Sequence, residues 1–594
     1  NITLTAPISI DVDTTIDAQG HAVTLSGNQQ MLVFNVAAGV NFTSLGLTIT
    51  SGMNTNGGAL YVNANATVLL TNCTLAGNSA IGPNGVAGAS GANSASGDGG
   101  SGQSGTAGSP GFGGAIFNLG NLALLNCTLV TNTATGGIGG GGGNGGNGGG
   151  QLAHGGNGGN GGAGAVALGG AIYHVGGALL VSNCTFSGNS AIGGSGGAGG
   201  TNGTGFTPGL AGSGGPGASG SGAGLYSNQT NTVLNCTFSD NAAQGGNSAA
   251  GGTASNGTGI TGAPGADSSG GGIYLAGRGM VVNCTFFNDK ATGGGGGNGG
   301  NGAGQLSQGG NGGNGGNGAG GGLYNTGFCG VTNCTFSKGS AVGGTNGLAG
   351  SGTFPGSTGH LGQARGGNIA NGAGTFWLKN SILATNLSGG NGYGPISAAG
   401  NNLSTDASIA LGTNSFANTD PKLGALTNNG GPTRTMALLT TNTPGIAANS
   451  PALNAGDDTG CPATDQRGVS RPQPVGGHCD IGAYEATILP AIITPPQNQS
   501  QTNGGTVTFF VSAAGAPILK YRWRFNGTNI SGAVSSNYTI AQITITNAGN
   551  YDVTVTNSFG SVTSSVATLS VGPNITIQPT NQEVAAGGDT TFMV

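Results

Sequence analysis

Short runs of Val, Ile, Leu and Thr, separated by turns rich in Gly and Asn, are the dominant pattern along the chain. Apolar and polar residues alternate with period two, as at Val282, Cys284 and Phe286, and they do not follow the 3.6-residue period of an amphipathic helix. Such alternation is typical of strands with one buried face. The pattern therefore predicts an all-β chain with almost no helix.

Two sequence blocks repeat along residues 1–400. A GGA-type block such as Gly113–Ile116 is followed roughly a dozen residues later by an NCT block such as Asn126–Thr128, and the pair recurs about every 45 to 56 residues. One such unit cannot bury an apolar face alone, whereas stacked units can pair strand on strand at about 4.8 Å. The repeat predicts a parallel β-helix.

The repeated cysteine of each NCT block is predicted to point inward, because Cys184 and Phe186 share a parity with Leu180, as Cys127 does with Leu125. By the same alternation, Val282 is predicted to point inward with Cys284. In-register side chains on neighbouring coils lie about 4.8 Å apart, beyond the roughly 3.5 to 4.5 Å between Cβ atoms in a disulfide, so we expect buried free thiols. The predicted inward ladder comprises Cys73, Cys127, Cys184, Cys236, Cys284 and Cys334.

The remaining residues of the NCT blocks, and one odd cysteine, are predicted to face outward. Cys329 has outward parity and is expected to stay free, to pair with another chain or to carry a modification. Two interpretations of the repeated Asn stay open: it belongs to an outward array, or it sits at a corner and bends in to bond the neighbouring coil's backbone. The outward candidates are Asn72, Thr74, Asn126, Thr128, Asn183, Thr185, Asn235, Thr237, Asn283, Thr285, Asn333 and Thr335.

Glycine contributes 135 of the 594 residues and is concentrated in six inserts between the repeat blocks. Several inserts have a period of three, as in the GGNGGN runs that flank Gln151–His154. This period matches a polyproline-II-type helix, so we expect out-and-back hairpins that bond side by side as polyglycine-II-like helices from one corner of successive coils. The alternative is flexible linker. The inserts lie near residues 81–112, 136–168, 193–221, 245–269, 293–319 and 343–365.

Charge is sparse: 12 Lys and Arg against 17 Asp and Glu give a net charge of −5. No basic patch is available to neutralise phosphates, so nucleic acid is a poor partner, and no apolar run reaches the roughly 20 residues of a transmembrane helix. The best candidates for a catalytic pair are Asp240 and Asp289 on successive coils, with Lys290 and Lys338 beside them. Turn positions of this kind are more often solvated. We therefore expect no catalytic residues, no metal site and no cofactor, calcium being compatible with the sequence but not indicated by it.

The GGA blocks and the FxxN segments, such as Phe186–Asn189 and Phe238–Asn241, resemble the repeats of chlamydial-type polymorphic outer membrane proteins. Further along, DPKLG, NNGGPTRT, SPALNAG, DQRG and CDIGAYE, all within residues 420–485, are similar to "choice-of-anchor Q" surface proteins of bacteria. The resemblance implies a right-handed β-helix, export, and an extracellular or cell-surface location. In an exported protein, Cys461 and Cys479 are expected to form a disulfide.

The only dense charge cluster lies in the same region. It consists of Asp465, Arg467, Arg471, Asp480 and Glu485. It is interpreted as ion pairs that close the end of the β-helix, with calcium or anchor binding as the alternative.

Glycine becomes rarer after about Pro490, and alternating strands follow. YRWRFNGT (521–528) followed by NAGNY (547–551) resembles bacterial immunoglobulin-like domains, in which Trp523 and Tyr551 would be core residues. The predicted domains are the β-helix at 1–400, an anchor-like region at 401–487, an Ig-like domain at 488–572 and an incomplete second Ig-like module at 573–594.

These features predict a non-catalytic, exported structural protein that forms a rigid rod in a surface layer, adhesin or extracellular fibre. Its expected partners are further copies of itself, joined through Gly-rich flanks and Ig-like modules, or other surface proteins. Two alternatives stay open. One is a carbohydrate-active or carbohydrate-binding β-helix, with glycans as partners. The other is an ice-binding adhesin, because the repeated outward Thr resembles the Thr arrays of ice-binding β-helices.

Overall fold

In a computed structural model, the described residues form strands and turns with one short 3₁₀ segment, Ile545–Asn547. The structure describes residues 1–440, 447–473, 476–487, 489–515, 518–557, 560–573 and 577–593. The start of the predicted second Ig-like module, residues 574–576, lies outside these ranges. Two compact units are present: the first comprises residues 1–438, 450–471 and 478–485, and the second the rest of the chain.

Unit one is a stack of coils whose strands pair in parallel with their counterparts in the next coil, which confirms the predicted β-helix architecture. Sheet one contains Ile2–Thr3, Val23–Ser26, Leu47–Thr50, Thr74–Ala76, Thr128–Val130, Thr185–Ser187, Thr237–Ser239, Thr285–Phe287, Thr335–Ser337, Ile382–Leu383 and Leu403–Ser404. Sheet two contains Thr14–Asp17, Asn41–Leu45, Thr67–Thr71, Asn121–Leu125, Ala178–Ser182, Thr230–Leu234, Arg278–Val282, Phe328–Thr332, Thr375–Lys379 and Ser397–Ala398. Sheet three contains Ile8–Ile10, Phe34–Val36, Leu60–Val62, Ile116–Asn118, Ile172–His174, Leu225–Ser227, Ile273–Leu275, Leu323–Asn325, Ile369–Asn371 and Gly392–Tyr393.

Two narrower sheets flank the point where the Gly-rich inserts leave the coils. Sheet four contains Met53–Asn54, Ser79–Ile81, Thr133–Thr135, Ser190–Ile192, Ala242–Gln244, Lys290–Thr292 and Ser340–Val342. Sheet five contains Gly111–Phe112, Ala167–Leu168, Gly220–Ser221, Ser268–Ser269, Gly318–Ala319 and Ala364–Arg365. An antiparallel hairpin, Leu423–Thr427 with Thr435–Leu438, follows the last coil.

The Asn of each NCT block forms the corner between sheet two and sheet one. In Asn72, Asn126 and their four equivalents the backbone φ lies between +48° and +55°, in the left-handed region. Asn tolerates this conformation better than most residues with a Cβ atom. The left-handed turn therefore explains why Asn is repeated at this position. The position is a corner of the coil, as the corner interpretation expects.

The corner also interrupts the alternation of side chains, so several predicted directions are wrong. Leu180 is 37 % exposed instead of inward, and Leu125 and Val282 are only half-buried. Cys329 is fully buried instead of outward, on the same face of its strand as Val331. Parity counted back from the NCT cysteine fails because the left-handed residue reverses the side of the chain that faces the core.

Identical side chains stack along the interior of the β-helix. Phe186, Phe238, Phe286 and Phe336 have ring centroids 4.4 to 4.9 Å apart on neighbouring coils. The six NCT cysteines lie buried as free thiols, each directly before a strand of sheet one, and Cys329 is a seventh buried thiol. A second column is made by Asn78, Asn132, Asn189, Asn241 and Asp289.

The column of buried Asn residues joins successive coils through side-chain amides. The Nδ2 of Asn189 donates to the backbone oxygen of Leu129 at 2.9 Å and to Oδ1 of Asn241 at 2.9 Å. Its own Oδ1 accepts from the backbone N–H of Asn132. Each amide thus forms hydrogen bonds to groups on both neighbouring coils. The column thereby provides hydrogen-bond partners for backbone groups that the turn leaves outside the sheets.

The Gly-rich inserts are bonded to one another by their backbones. Each insert has an outgoing and a returning leg, joined for example by the Thr106 N–H to Val86 oxygen bond of 2.9 Å. One N–H in three of an outgoing leg donates to the outgoing leg of the next insert, as Gly85 does to Ile138 at 2.7 Å. The next N–H donates to the returning leg of the previous insert, as Gly140 does to Thr106 at 2.8 Å.

This packing explains the GGN triplets. A Cβ atom on Gly140 would lie 2.0 Å from the oxygen of Val86, and one on Gly142 would lie 1.9 Å from the oxygen of Gly159, so both positions need glycine. The third position leaves room for a side chain, because a Cβ atom on Gly141 would lie 3.8 Å from its nearest neighbour. There the Asn144 side chain accepts a hydrogen bond of 3.0 Å from the Thr201 N–H of the next insert. Among the described residues, this N–H has no backbone acceptor on a neighbouring leg.

The first and last inserts carry side chains at positions where inner inserts have glycine. Pro83, Val86 and Ala89 in the first insert align with Gly137, Gly140 and Gly143 in the second. In the last insert, Pro355, Thr358 and Leu361 occupy the positions of Gly309, Gly312 and Gly315 in the fifth. Because those inner glycines each lie against a neighbouring leg, a further glycine leg cannot pack against these edges in the same way.

Unit two contains a β-sandwich core around Trp523, Phe509 and Tyr551. Trp523 is fully buried and its Nε1 donates to the oxygen of Ser535, while the Tyr551 hydroxyl donates to the oxygen of Asn547. Its strands are Ala491–Thr494, Gln499–Thr502, Val507–Phe510, Ser512–Ala514, Lys520–Phe525, Thr528–Asn529, Asn537–Ile540, Gly549–Asn557, Gly560–Thr563 and Ala567–Gly572.

Candidate functional surface

The outer face of sheet one carries the predicted Asn and Thr array, and part of it is covered by the polypeptide that follows the last coil. We call residues 420–438, 450–471 and 478–485 the C-terminal cover. Hydrogen bonds join the cover to the array over several coils. Thr237 donates to the oxygen of Arg434, Asn283 to the oxygen of Thr464 and Asn333 to the oxygen of Asp480.

Only the N-terminal part of the predicted outward array therefore faces solvent. Asn72 and Asn126 are exposed, and Asn183 and Asn235 are half-buried. Thr237, Asn283, Thr285, Asn333 and Thr335 are buried, so the prediction that they face outward to solvent is wrong for these five residues. Alternation gives the direction of a side chain relative to its own sheet, but it contains no information about a distant segment that packs on that face. A column of partly exposed hydroxyls remains at Thr24, Thr48, Thr74, Thr128 and Thr185.

Gln466 is the main polar contact between the cover and the β-helix. Its Nε2 donates to the hydroxyl of Thr237 at 2.9 Å, and its Oε1 accepts from the hydroxyl of Thr285 at 2.6 Å. All three side chains are buried. The side-chain amide thus pairs hydroxyl groups of two successive coils that would otherwise lose their water on burial.

The charge cluster of the cover forms buried ion pairs. Arg467 lies 2.7 Å from Asp465 and stacks over the ring of Tyr484 at 3.6 Å, and Arg471 lies 3.1 Å from Glu485. These contacts are internal to the cover and pair the carboxylates of Asp465 and Glu485 with cations. A disulfide joins Cys461 to Cys479 in the same segment.

Asp240 and Asp289 do not form a pair of accessible carboxylates. Asp289 is buried in the Asn column, where its Oδ1 accepts from the Nδ2 of Asn241 at 2.8 Å. Burial raises the pKa of Asp289 well above its usual range. Asp240 is exposed and accepts from Asn288 at 2.7 Å. The sequence did contain a signal for this position: Asp289 follows the inward Phe286 by three residues, as Asn189 follows Phe186 and Asn241 follows Phe238.

A groove runs between the hairpin of the cover and the outer edge of sheet one. Its larger part has a cavity volume of about 470 Å³ and its smaller part about 400 Å³, and both parts are bordered by Ser187, Ser239 and Arg434. The larger part is also lined by Phe287, Asp240, Lys338, Asp420, Leu423 and Met436. Hydroxyl, apolar and charged groups therefore meet in one concave surface.

Within the described residues, no three His, Cys, Asp or Glu side chains come together in a way that could hold a metal ion. The described part of the chain also contains no helix that is long and apolar enough to cross a bilayer.

A family model described as "Immunoglobulin domain" matches residues 490–557. This stretch of unit two is an immunoglobulin-like domain. The match confirms the Ig-like module predicted from the Trp523 and Tyr551 motifs. It covers too little of the chain to assign the whole protein to a family, and no curated protein matches the chain.

Solved structures that match the chain include tandem immunoglobulin proteins. A chimeric titin Z1Z2-Z1Z2 tandem functionalised with a GRGDS peptide from fibronectin is 29 % identical over 15 % of this chain and 53 % of that chain, with a TM-score of 0.14. Tandem Ig repeats of Dlar are 22 % identical over 15 % of this chain and 51 % of that chain, also with a TM-score of 0.14. The chain thus spans about half the length of these two structures.

Proposed function

We propose that the protein is a non-catalytic, exported structural protein of the cell surface, acting as a rigid rod in a surface layer, adhesin or extracellular fibre. The observation that carries the proposal is the filling of the β-helix by ladders of Phe, Cys and Asn, with Gly-rich legs on one flank that are hydrogen-bonded to one another through their backbones. Successive coils are thus joined twice, by the strands of the β-helix and by the legs of the inserts, and this favours stiffness along the stack. The burial of Asp289, which removes one member of the candidate catalytic pair, supports the non-catalytic assignment.

Self-association is proposed to use the distal turns of the polyglycine-II-like inserts. The outer positions of the first and last inserts bear side chains, so growth by adding glycine legs is disfavoured. The turns between legs instead carry exposed apolar side chains: Leu152 is 72 %, Phe206 67 %, Leu306 84 % and Phe354 57 % exposed. Exposed apolar residues that recur on one projecting edge are typical of contact surfaces.

Electron microscopy and sedimentation of the purified chain test this proposal. Rods that associate side by side or into filaments at high protein concentration are expected. Replacing Leu152, Phe206, Leu306 and Phe354 together by Ser should return the sample to single rods. A matched variant with Val86 and Leu361, two exposed apolar residues away from the turns, replaced by Ser should associate like the wild type. A flexible or globular particle would contradict the rod itself, and equal behaviour of both variants would contradict the contact.

A second candidate function is recognition of a regular surface such as ice by the column Thr24, Thr48, Thr74, Thr128 and Thr185. The observation that favours it is that these hydroxyls are partly exposed and in register on successive strands. Thermal hysteresis of the wild type, abolished by Thr74→Tyr but not by a substitution on another sheet such as Leu180→Tyr, would support ice binding. A lack of thermal hysteresis in the wild type would eliminate it.

A further inference from the structure

We propose that the groove between the hairpin of the C-terminal cover and sheet one binds an extended, uncharged oligosaccharide. The inference deepens the proposed surface role, because it names a ligand class for an adhesion-type rod. It depends on the chemistry of the groove lining rather than on the stiffness or assembly of the rod. The two proposals can therefore fail separately.

The shape of the groove suits an extended ligand. Its lining runs from Thr128 to Thr385, which lie on coils five steps apart, so at about 4.8 Å per step the floor is on the order of 24 Å long. The two parts of the cavity, of about 470 and 400 Å³, share the lining residues Ser187, Ser239 and Arg434 and are thus adjacent. Volumes of this size lie in the range of small-ligand sites.

The floor has a hydroxyl group at the same position on three of four successive coils. Ser187, Ser239 and Ser337 occupy the same position on the strands of sheet one, with Phe287 between the last two. The hydroxyl of Ser239 donates to that of Ser187 at 3.1 Å. Each hydroxyl can both donate and accept, as sugar hydroxyls do. A ligand with its own regular spacing of hydroxyl groups fits such a floor.

Apolar surface is present beside the hydroxyls. The ring of Phe287 is half-buried, and Leu423 and Met436 of the hairpin line the opposite wall. The Nζ of Lys338 lies 5.1 Å from the centroid of the Phe287 ring. A sugar ring offers apolar C–H faces as well as hydroxyls. A combination of apolar walls with a few polar groups is typical of a preformed ligand site.

The charges at the rim cancel, which argues against an anionic or cationic ligand. Asp240 and Asp420 carry negative charge, while Lys338 and Arg434 carry positive charge, and all four side chains are exposed. The ion pairs found among the described residues do not include these four groups. They are therefore able to donate to and accept from neutral hydroxyl groups without a net field that favours one sign of charge.

Affinity gel electrophoresis of the full chain in gels containing single polysaccharides tests the inference. The neutral probes are dextran, mannan, hydroxyethyl cellulose and galactan, and polygalacturonate is the acidic comparison. We expect at least one neutral polysaccharide to retard the protein, with little change between 50 and 500 mM salt. Failure of all four neutral probes, or retardation by polygalacturonate alone that disappears with salt, would overturn the proposal.

Substitutions locate the binding surface. Phe287→Ala and Arg434→Ala should each weaken retardation at least tenfold, and thermal melting of each variant checks that it folds. Arg434 is exposed, so its variant keeps the test valid even if Phe287→Ala is unstable. Trp377→Ala, which removes an exposed aromatic ring from sheet two, should bind like the wild type. Loss of binding in Trp377→Ala with retention in both groove variants would contradict the assignment.

Discussion

Two buried ionisable residues, His174 and Asp289, make the stability of the β-helix depend on pH. His174 and Asp289 are both fully inside the coil stack, and each has a ring nitrogen or carboxylate oxygen without a hydrogen-bond partner. Neighbouring coils have Asn at the equivalent positions: Asn118 next to His174, and Asn241 next to Asp289. At each of these two positions, a side chain that can be charged therefore replaces the neutral amide of the neighbouring coil.

Protonation of His174 is expected to destabilise the β-helix. Burial lowers its pKa to about 4 from an unfolded value near 6.5, so the unfolded chain binds the proton first. Stability is fully present above pH 6.5 and falls by roughly 3 kcal/mol as the pH drops to about 4. Denaturant unfolding of the wild type and of His174→Asn at pH 7 and pH 4.5 measures the effect. The loss should be smaller in His174→Asn, and equal losses in both proteins would contradict this account.

Asp289 has the opposite dependence. Because its pKa is raised in the folded state, the neutral acid is the form that fits the column, and stability is lost as the pH rises above the unfolded value near 4. We expect Asp289→Asn to increase the midpoint of denaturation at pH 8 and to change it little at pH 4. Asp240→Asn, which alters the exposed neighbour, is the control and should have a small effect at both values. A pH-independent gain in Asp289→Asn would show that charge is not the cause.

At the level of the element, the glycine inserts show how much a triplet pattern can predict. The period of three and the mirrored legs were sufficient to propose helices packed side by side. One of the two positions that need glycine is set by contacts between inserts more than 50 residues apart, such as the 2.0 Å that would separate a Gly140 Cβ from the Val86 oxygen, and the other by contacts between the two legs of one insert, such as the 1.9 Å from a Gly142 Cβ to the Gly159 oxygen. Local sequence contains no such distance, so the flexible-linker alternative could not be excluded from the pattern.

Two adjacent glycines provide a matched test of this packing. A Cβ on Gly140 would lie 2.0 Å from the oxygen of Val86, whereas one on Gly141 would lie 3.8 Å from its nearest neighbour. Gly140→Ala should therefore increase hydrogen exchange and protease cleavage in residues 136–168, while Gly141→Ala leaves both unchanged. Similar protection in the two variants would mean that the legs are not packed as described.

At the scale of the whole molecule, the two compact units have separate apolar cores, one running through the β-helix and one around Trp523. Replacing a fully buried aromatic residue by Ala typically costs about 3 to 5 kcal/mol. Trp523→Ala should lower one calorimetric transition, that of the Ig-like domain, and leave the β-helix transition in place. Trp377→Ala, at an exposed position, serves as the control. A joint shift of both transitions would indicate that the units do not unfold independently.

The sequence by itself determined the stacking of coils, the identity of the inward Phe and Cys columns and the presence of an Ig-like domain, because period and alternation are local consequences of backbone geometry. The tertiary structure alone decided which way Cys329 and Leu180 point, since a left-handed Asn between two strands reverses the parity. It also decided that Asp289 belongs to a buried column and that Thr285 lies beneath the C-terminal cover. The last two outcomes, for Asp289 and Thr285, depend on contacts between residues about 50 to 180 positions apart, which no local pattern contains.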